Sequence, residues 1–571
     1  MKNYEVARIL WEMGDLLELR DGNRFKVVAY RKAARSAETM KDDIEEVWRE
    51  GKLENIPGVG KAIAKKIEEY LETDKMETRD RLVEETPAGL VELILISGLG
   101  PKTISLLHKK LGVSSIDELE KAAREHKVRR LPRMGATSEA NILKAIERYK
   151  KRSSRIPLNV AVPIVEEVLV YLKGIEGVER LSTAGSFRRG RETVGDIDVL
   201  ATSSRPEDVM RAFVKMPMVE DVLVKGSTKT SVIVNETVQV DLRIVDSRSF
   251  GTVLQYFTGS KDHNVKLRGI ALQKGYSLSE YSLTRLGDQK ELFFEREEDV
   301  YTRLGLPYIP PEIREDEGEI EAAVADALPE LIECSEIRGD LHVHSDWSDG
   351  RNSIEEMTEA AKAAGYEYIA ICDHSPGLSI AGGLSEERLF EKIEFVRELN
   401  ESLEKITVLA GTEVDIRADG RLDYSDEVLA RCDVVVAAIH SARNQKSRTM
   451  TNRIITAVEN ENVDIIAHPT GRIIGVREPY DVDMEAVLEA AARTGTVMEI
   501  NAYPARLDLN DRWARICKEM GVKLAINTDA HSVQGLDVMK YGVKTARRGW
   551  LEKGDVVNTL GLRDLMEIFR T

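Results

Sequence analysis

Apolar residues recur three and four apart through residues 1–150, in segments separated by Gly and Pro, and predict an all-helical region. After about Arg155 the texture changes. Short β-rich runs, DIDVLAT (196–202), SVIVNETVQVDLRIV (231–245) and SLTRL (282–286), predict a mixed α+β region. A charged stretch, PPEIREDEGEIEAAVADALPE (310–330), reads as a solvated linker and helix. From residue 336 apolar runs repeatedly end in a metal-ligand type: YIAICDH (368–374), ITVLAGTE (406–413), DVVVAAIH (433–440), VDIIAHP (463–469) and VKLAINTDAH (522–531). Helical segments separate them, which predicts a parallel sheet. Ligands at successive strand ends predict a barrel with its site on the C-terminal face.

Charge divides the chain at the same place. The 571 residues carry a formal net charge of −17, which taken whole argues against a polyphosphate partner. Yet residues 1–150 sum to +2 and 151–310 to +1, while 311–571 sum to −20. Partners must therefore be argued half by half. The hydrophobic content of 42% excludes large-scale disorder. Four scattered cysteines without CxxC fit a reducing compartment. The charged start, MKNYEVARIL, and the lack of an 18-residue apolar run point to a soluble cytoplasmic protein with no membrane partner.

Two segments of the helical region, IPGVGKAIAKKI (56–67) and SGLGPKTISLL (97–107), share an apolar residue, GxG and then an amphipathic helix. Gly58, Gly60, Gly98 and Gly100 would allow a tight turn whose helix-opening amides grip a DNA phosphate, the helix-hairpin-helix device. Lys61, and Lys26 and Tyr30 of FKVVAYRKAA (25–34), would add to a DNA-facing surface. The first hairpin's helix also carries Lys65 and Lys66, and a lysine with a lowered pKa among such cations can form a Schiff base with an opened abasic sugar.

In GSFRRGRETVGDIDVL (185–200), Asp196 and Asp198 lie two apart on a predicted strand and face the same way. Asp241, in VQVDLRIV (238–245), can complete the cluster. Three converging carboxylates suit two hard divalent ions, Mg²⁺ or Mn²⁺, for nucleotidyl transfer. Gly185 and Ser186, with Arg188 or Arg189, would hold the β- and γ-phosphates. The motifs YRKAA, IPGVGKAIAKKI, SGLGP, RIP (155–157), GSFRRG, GDIDVL and YFTGS (256–260), with Asn264 and Arg268, cover nearly all of residues 1–310. In that order they resemble the DNA polymerase beta-like members of family X. The resemblance implies that Asp196, Asp198 and Asp241 hold the metals and that Asp241 assists deprotonation of the primer 3′ hydroxyl. It further implies triphosphate contacts from Arg155, Ser186, Arg189 and Gly195, and a sugar pocket of Tyr256, Phe257 and Gly259. Asn264 and Arg268 would touch the base pair and template. Lys66 falls where the abasic-site lyase lysine lies. Gln239 departs from the pattern, since relatives often carry a basic residue two before the third Asp.

Six of the nine histidines fall in the strand-end motifs of the acidic half: His342, His344, His374, His440, His468 and His531. Asp349, Glu413 and Asp529 join them. Nine N and O ligands suffice for about three ions, and the mixed donors favour Zn²⁺, Mn²⁺ or Fe. Such ions would support phosphoester hydrolysis. RGDLHVHSDWSDG (338–350), CDHS, GTE, AIHS, AHP and NTDAH stand in the order of the PHP (polymerase and histidinol phosphatase) domain and resemble it. That implies a distorted (β/α)₇ barrel with 3′–5′ exonuclease and, beyond it, abasic-endonuclease or 3′-phosphatase activity. Arg506 and Arg443 could bind substrate phosphate, and a surface salt bridge is the competing reading for each.

Together these readings give a multidomain chain. Residues 1–85 form a lyase-like helical domain with the first hairpin, and 86–152 a helical DNA-binding subdomain with the second. Residues 153–250 form a nucleotidyltransferase palm, and 251–315 a nucleotide- and template-side subdomain. Residues 316–335 are an acidic linker, and 336–571 the PHP phosphoesterase. The implied enzyme fills short gaps in gapped or nicked double-stranded DNA from dNTPs, in base excision repair, and trims 3′ ends at its second site. The alternatives keep the polymerase but make the acidic half structural, regulatory or active on a small phosphomonoester. A non-catalytic DNA-end scaffold is a further rival.

Overall fold

The computed structural model describes residues 2–569 apart from 21, 22, 41–43, 74, 85, 95, 97, 98, 133, 153, 154, 236, 237, 379 and 380. It divides into two compact units, Met1–Ser154 and Arg155–Thr571.

The first unit is helical throughout. Val6, Leu10, Met13 and Leu16 of Lys2–Leu19 pack with Ala33 and Ala34 of Arg24–Thr39 and with Ile63 and Ile67 of Lys61–Thr73. A second core gathers Leu93, Ile96, Leu107, Leu119, Val128 and Ile146. Between helices the chain makes the same turn repeatedly. Val59 N donates to Ile56 O and Leu99 N to Ile96 O, after which Gly60 and Gly100 open helices Lys61–Thr73 and Pro101–Leu111. The turn occurs a third time, where Met134 N donates to Leu131 O and Gly135 precedes Ala136–Arg152. The sequence reading found two copies only, because here the segment LPRMG lacks the first glycine.

In the second unit, a five-stranded sheet runs in the order Val178–Thr183, Ile197–Ser203, Val238–Ile244, Lys229–Val234, Val219–Lys225. The strands Ile197–Ser203 and Val238–Ile244 are parallel, and Asp198 stands directly beside Asp241 in their register. A three-stranded sheet with helices Lys261–Gln273 and Glu297–Arg303 follows.

The stretch read as a solvated linker is not one. Ile320, Ala323 and Leu331 are buried with Leu304 and Ile309 in one core. Arg314 is 0% exposed. Its Nη1 contacts Glu297, and Glu319 receives His263 Nδ1 at 2.7 Å. Its acidic composition misled because Glu315 and Glu319 turn inward, onto Arg189 and His263.

Seven parallel strands then follow in chain order: Gly339–Val343, Tyr368–Ile371, Thr407–Asp415, Val434–Ala438, Ile465–Ile466, Val497–Asn501 and Leu524–Asn527. Leu341 N donates to Asn527 Oδ1 across the closing edge, and Val343 bridges Ala530, so the sheet is a nearly closed barrel. Tyr368, Ala370, Leu409, Val434, Val436, Val497 and Ala525 fill its interior with Val557 and Leu565 of the C-terminal segment. Continuing the two-residue alternation toward the strand C-termini, the interior positions become His374, Glu413, His440, Glu499 and Asp529. The strands thus carry an apolar plug below and a polar cluster above. No helix among the described residues is long and apolar enough to cross a membrane.

Candidate active sites

In the palm sheet, ligand oxygens of Asp196, Asp198 and Asp241 all lie within 4.8 Å of one another. Asp196 immediately precedes the strand that carries Asp198 and is exposed, whereas Asp241 is buried. Burial first, then the charges of Asp196 and Asp241, push Asp198 up to about 7. A divalent cation bridging the three would remove that repulsion. Gly185 sits at φ +60°, and a Cβ there would come 2.6 Å from Asp198 Oδ2, so only glycine admits the carboxylate. Asp241 is held on two sides: Lys229 Nζ lies 2.8 Å from Oδ2, and Gln239 Nε2 donates to Oδ1 at 2.8 Å. A cation from the neighbouring strand therefore stands beside Asp241 although residue 239 is not basic.

The expected nucleotide contacts converge in part. Gly259 approaches Arg189, for a Cβ on it would meet Arg189 Nη1 at 3.1 Å. Tyr256 and Phe257 pack edge to face at 5.1 Å. Asn264 Nδ2 donates to Tyr256 O at 2.8 Å, and the Arg268 guanidinium lies 5.2 Å from the Tyr256 ring. Ser186 lies in the short helix Gly185–Arg188, and Gly195 directly precedes Asp196. Arg155 binds the Thr193 hydroxyl and carbonyl. Burial and the nearby Arg191 and Arg189 lower its pKa, which places these arginines around one space. Arg188 is committed to Glu297 in a two-pronged pair and does not share this space freely.

Nine ligand-type side chains meet at the barrel mouth. Three overlapping groups each bring their ligand atoms within 4.8 Å: His344, Asp349, His374 and His531; His342, His344 and Asp529; and His374, Glu413 and His440. His468 Nε2 joins Glu413 Oε1 at 3.2 Å. His342 Nε2 and His344 Nε2 lie 3.2 Å apart and flank Asp529 Oδ1 at 3.8 and 3.2 Å. Two imidazole nitrogens turned to one carboxylate oxygen suit a shared cation. His344 Nδ1 and His468 Nδ1 are buried with no hydrogen-bond partner among the described residues. Burial, then the neighbouring His531 and His374, push His344 down to about 4. That neutral form is the one that binds a metal. His468 and Asp529 hold φ of +29° and +54°, strained backbone at two of the nine positions.

The backing residues escaped the sequence reading. Glu499 is wholly buried, with Oε1 2.8 Å from His342 Nδ1 and Oε2 accepting His468 N at 2.7 Å. Asp415 Oδ1 is 3.3 Å from His440 Nδ1, and Asn501 Nδ2 donates to Asp529 Oδ2 at 3.0 Å. Such partners fix imidazole orientation. The strand VMEIN (497–501) carries no His, and the alternation was the one signal that could have found Glu499. Arg506 Nε lies 3.8 Å from Asp529 Oδ2. Burial, then the nearby Arg443 and Arg506, push Arg477 down to about 10.

In the helical unit, Gly58 has φ +90° and a Cβ would meet Lys32 Cγ at 2.7 Å. Gly60, Lys61 and Gly100 are exposed, and Gly100 N-caps its helix with no side-chain cap. Gly98 lies outside the described residues. Lys26 is exposed, but Tyr30 is 8% exposed and packs in the core, which corrects its expected place on a DNA-facing surface. Beside it, Arg31 pairs with Asp15 and Glu18. Lys66 Nζ donates to Ala62 O at 3.0 Å.

Family models match five segments of the chain. A helix-hairpin-helix domain matches residues 1–76 and a SAM-like helix-hairpin-helix tandem 90–148. The DNA polymerase beta palm matches 155–265, the DNA polymerase beta thumb 253–315 and the PHP domain 340–529. The chain is 42% identical over 568 residues, 99% of each chain, to the DNA polymerase/3′-5′ exonuclease PolX of Bacillus subtilis (strain 168). Over 325 residues, 52% of this chain and 53% of the other, it is 26% identical to DNA polymerase lambda of Rattus norvegicus. Over 232 residues, 38% of this chain and 89% of the other, it is 31% identical to a probable phosphatase of Thermoanaerobacter sp. (strain X514).

The geometry at Gly185 yields a direct prediction. Gly185→Ala should lower primer extension at least about a hundredfold by displacing Asp198, with hydrolysis at the barrel unchanged. Extension at the wild-type rate would show that the close approach is dispensable.

Proposed function

We propose, for a chain that belongs to the PHP-bearing family X DNA polymerases, that it fills short gaps in double-stranded DNA and trims 3′ ends at a second hydrolytic site. One observation carries this reading. Two separate clusters of metal-ligand side chains, one in the palm and one at the barrel mouth, are each complete in one chain.

At the palm, Asp196, Asp198 and Asp241 would hold Mg²⁺ or Mn²⁺, which supply charge neutralisation for the triphosphate and for the attacking 3′ oxygen. The chain's own groups do the rest. Lys229 and Gln239 fix the orientation of Asp241, the carboxylate placed to accept the primer's 3′ proton. Ser186, Arg155, Gly195 and Arg189 hold the phosphates. Tyr256, Phe257 and Gly259 bound the sugar, and Asn264 and Arg268 read the pair and template side. At the barrel, the three overlapping ligand groups would hold about three ions, Zn²⁺, Mn²⁺ or Fe. Glu499 keeps His342 turned inward, and Asp415 holds the His440 backbone N–H. Arg443, Arg477 and Arg506 offer a cationic rim to a phosphodiester.

Gap filling from dNTPs in base excision repair, within the cytoplasm, is the role that suits a polymerase paired with a hairpin-bearing helical unit. Gly58, Gly60, Gly98 and Gly100, with Lys61 and Lys26, would grip the DNA backbone there. The second reading, hydrolysis of a free phosphomonoester at the barrel, is favoured by the similarity of the barrel to a probable phosphatase.

A labelled primer on a gapped duplex distinguishes these. Asp196→Ala plus Asp198→Ala should lose extension by at least about a thousandfold while keeping 3′ shortening, and His344→Ala should do the reverse. Shortening that survives His344→Ala would sink the exonuclease assignment, and turnover of a free phosphomonoester alone would favour the second reading. Lys66 is proposed as an abasic-site lyase nucleophile. Borohydride should trap the wild-type protein on an incised abasic duplex and trap Lys66→Ala at least about tenfold less. Equal trapping would remove Lys66 from that role.

A further inference from the structure

The palm loop that carries Arg189 is backed by the barrel. Leu158 and the half-buried Phe187 pack with Leu507 and Tyr541 in one apolar cluster. Lys544 Nζ lies 5.6 Å from the Phe187 ring, and Glu192 pairs with Arg472 at 2.7 Å. At Gly190, with φ +68°, an added Cβ would already touch Lys544 Cβ at 3.4 Å and Arg548 Cδ at 3.7 Å. The loop therefore lies flat on helix Met539–Arg548.

At the centre of this contact is a buried charge network. Glu315 Oε1 accepts from Arg189 Nε at 3.0 Å and from Arg548 Nη1 at 3.0 Å, with Arg191 Nη1 at 3.7 Å. Arg548 Nη1 also donates to the Arg189 carbonyl at 3.0 Å and to the Glu312 carbonyl at 3.2 Å. Its other edge is fixed by Asp511, with Nε donating at 2.8 Å and Nη2 2.6 Å away. The Arg548 side chain is 5% exposed. Arg189 Nη1 donates to the Thr258 carbonyl beside Gly259. Three guanidinium groups thus share two carboxylates, Glu315 and Asp511.

We propose that Arg548, a residue of the barrel, is a positioning residue for nucleotide binding in the palm. By clamping Glu315 and the Arg189 carbonyl, it fixes the direction in which the Arg189 guanidinium is offered to the triphosphate. The orientation of Arg189 is determined from both of its ends, through Nε by Glu315 and through its backbone by Arg548. Without Arg548, Arg189 keeps its Thr258 contact, but Glu315 and the Arg189 carbonyl lose their shared anchor and the guanidinium is offered to phosphate less precisely. A misplacement of about an ångström at a charge-assisted contact is enough to weaken binding strongly. The proposal rests on the reading of Arg189 as a phosphate contact.

Steady-state extension of a gapped duplex tests it on the full-length protein, with dNTP as the varied substrate. Arg548→Ala should raise KM for dNTP about tenfold with kcat within about twofold, and Arg548→Lys should fall between. Shortening of a labelled single strand at the barrel mouth should keep its wild-type rate and so report an intact fold. Arg189→Ala should raise KM at least as much, and adding Arg548→Ala to it should raise KM no further. If Arg189→Ala raises KM but Arg548→Ala and Arg548→Lys leave it unchanged, or if the two effects simply multiply, the positioning role is wrong. If Arg189→Ala itself leaves KM unchanged, the phosphate reading fails and the proposal falls with it.

Discussion

Like charges and lone pairs brought together at two points of the fold are the constraint on which the rest of this structure depends. Three carboxylates converge within 4.8 Å in the palm, and nine imidazoles and carboxylates crowd the barrel mouth. Left to themselves such groups repel and shift their proton affinities. They stay together because they are anchored to strands whose register is fixed by apolar packing below. Parallel pairing sets Asp198 beside Asp241. The barrel interior, filled by Leu341, Tyr368, Leu409, Val436 and Leu565, sets the level at which each strand presents its polar end. Cations bound at each site would resolve a conflict that the fold creates.

A second tier of residues keeps the crowded groups pointed inward. Glu499 does this for His342 in the barrel, and Lys229 and Gln239 do it for Asp241 in the palm. The two domains of the second unit share the same logic at their contact, where carboxylates of one are saturated by guanidinium groups of both. The excess acidity of the second half therefore says little about its surface. Glu315 is paired with Arg189 and Arg548, Glu319 is buried against His263, and Glu413 and Asp529 belong to the barrel-mouth cluster that Glu499 backs.

Much of this was legible in the residues. Strand-end histidines announced the barrel, and the helical spacing of residues 1–150 announced the first unit, because each depends on local periodicity. The backing residues were not legible. Glu499 sits in a strand with no ligand motif, and Lys229 comes from a neighbouring strand twelve positions before Asp241. The buried stretch around Arg314 and Glu319 read as solvent-exposed because composition cannot show where a partner lies. Tyr30 failed for the opposite reason: its basic neighbours suggested DNA, while helical phase turned its ring into the core. The third hairpin turn, at Leu131–Gly135, keeps the backbone hydrogen bond but not the glycine that made the other two visible.

The central claim is that both clusters are cation sites held ready by the fold. Anomalous diffraction from crystals soaked in Mn²⁺ tests it most directly. The account predicts one or two peaks among Asp196, Asp198 and Asp241, and about three at the barrel mouth, each within about 2.0–2.3 Å of His or carboxylate atoms of the groups described. Peaks in the palm with none at the barrel mouth, or peaks lying away from these side chains, would contradict it.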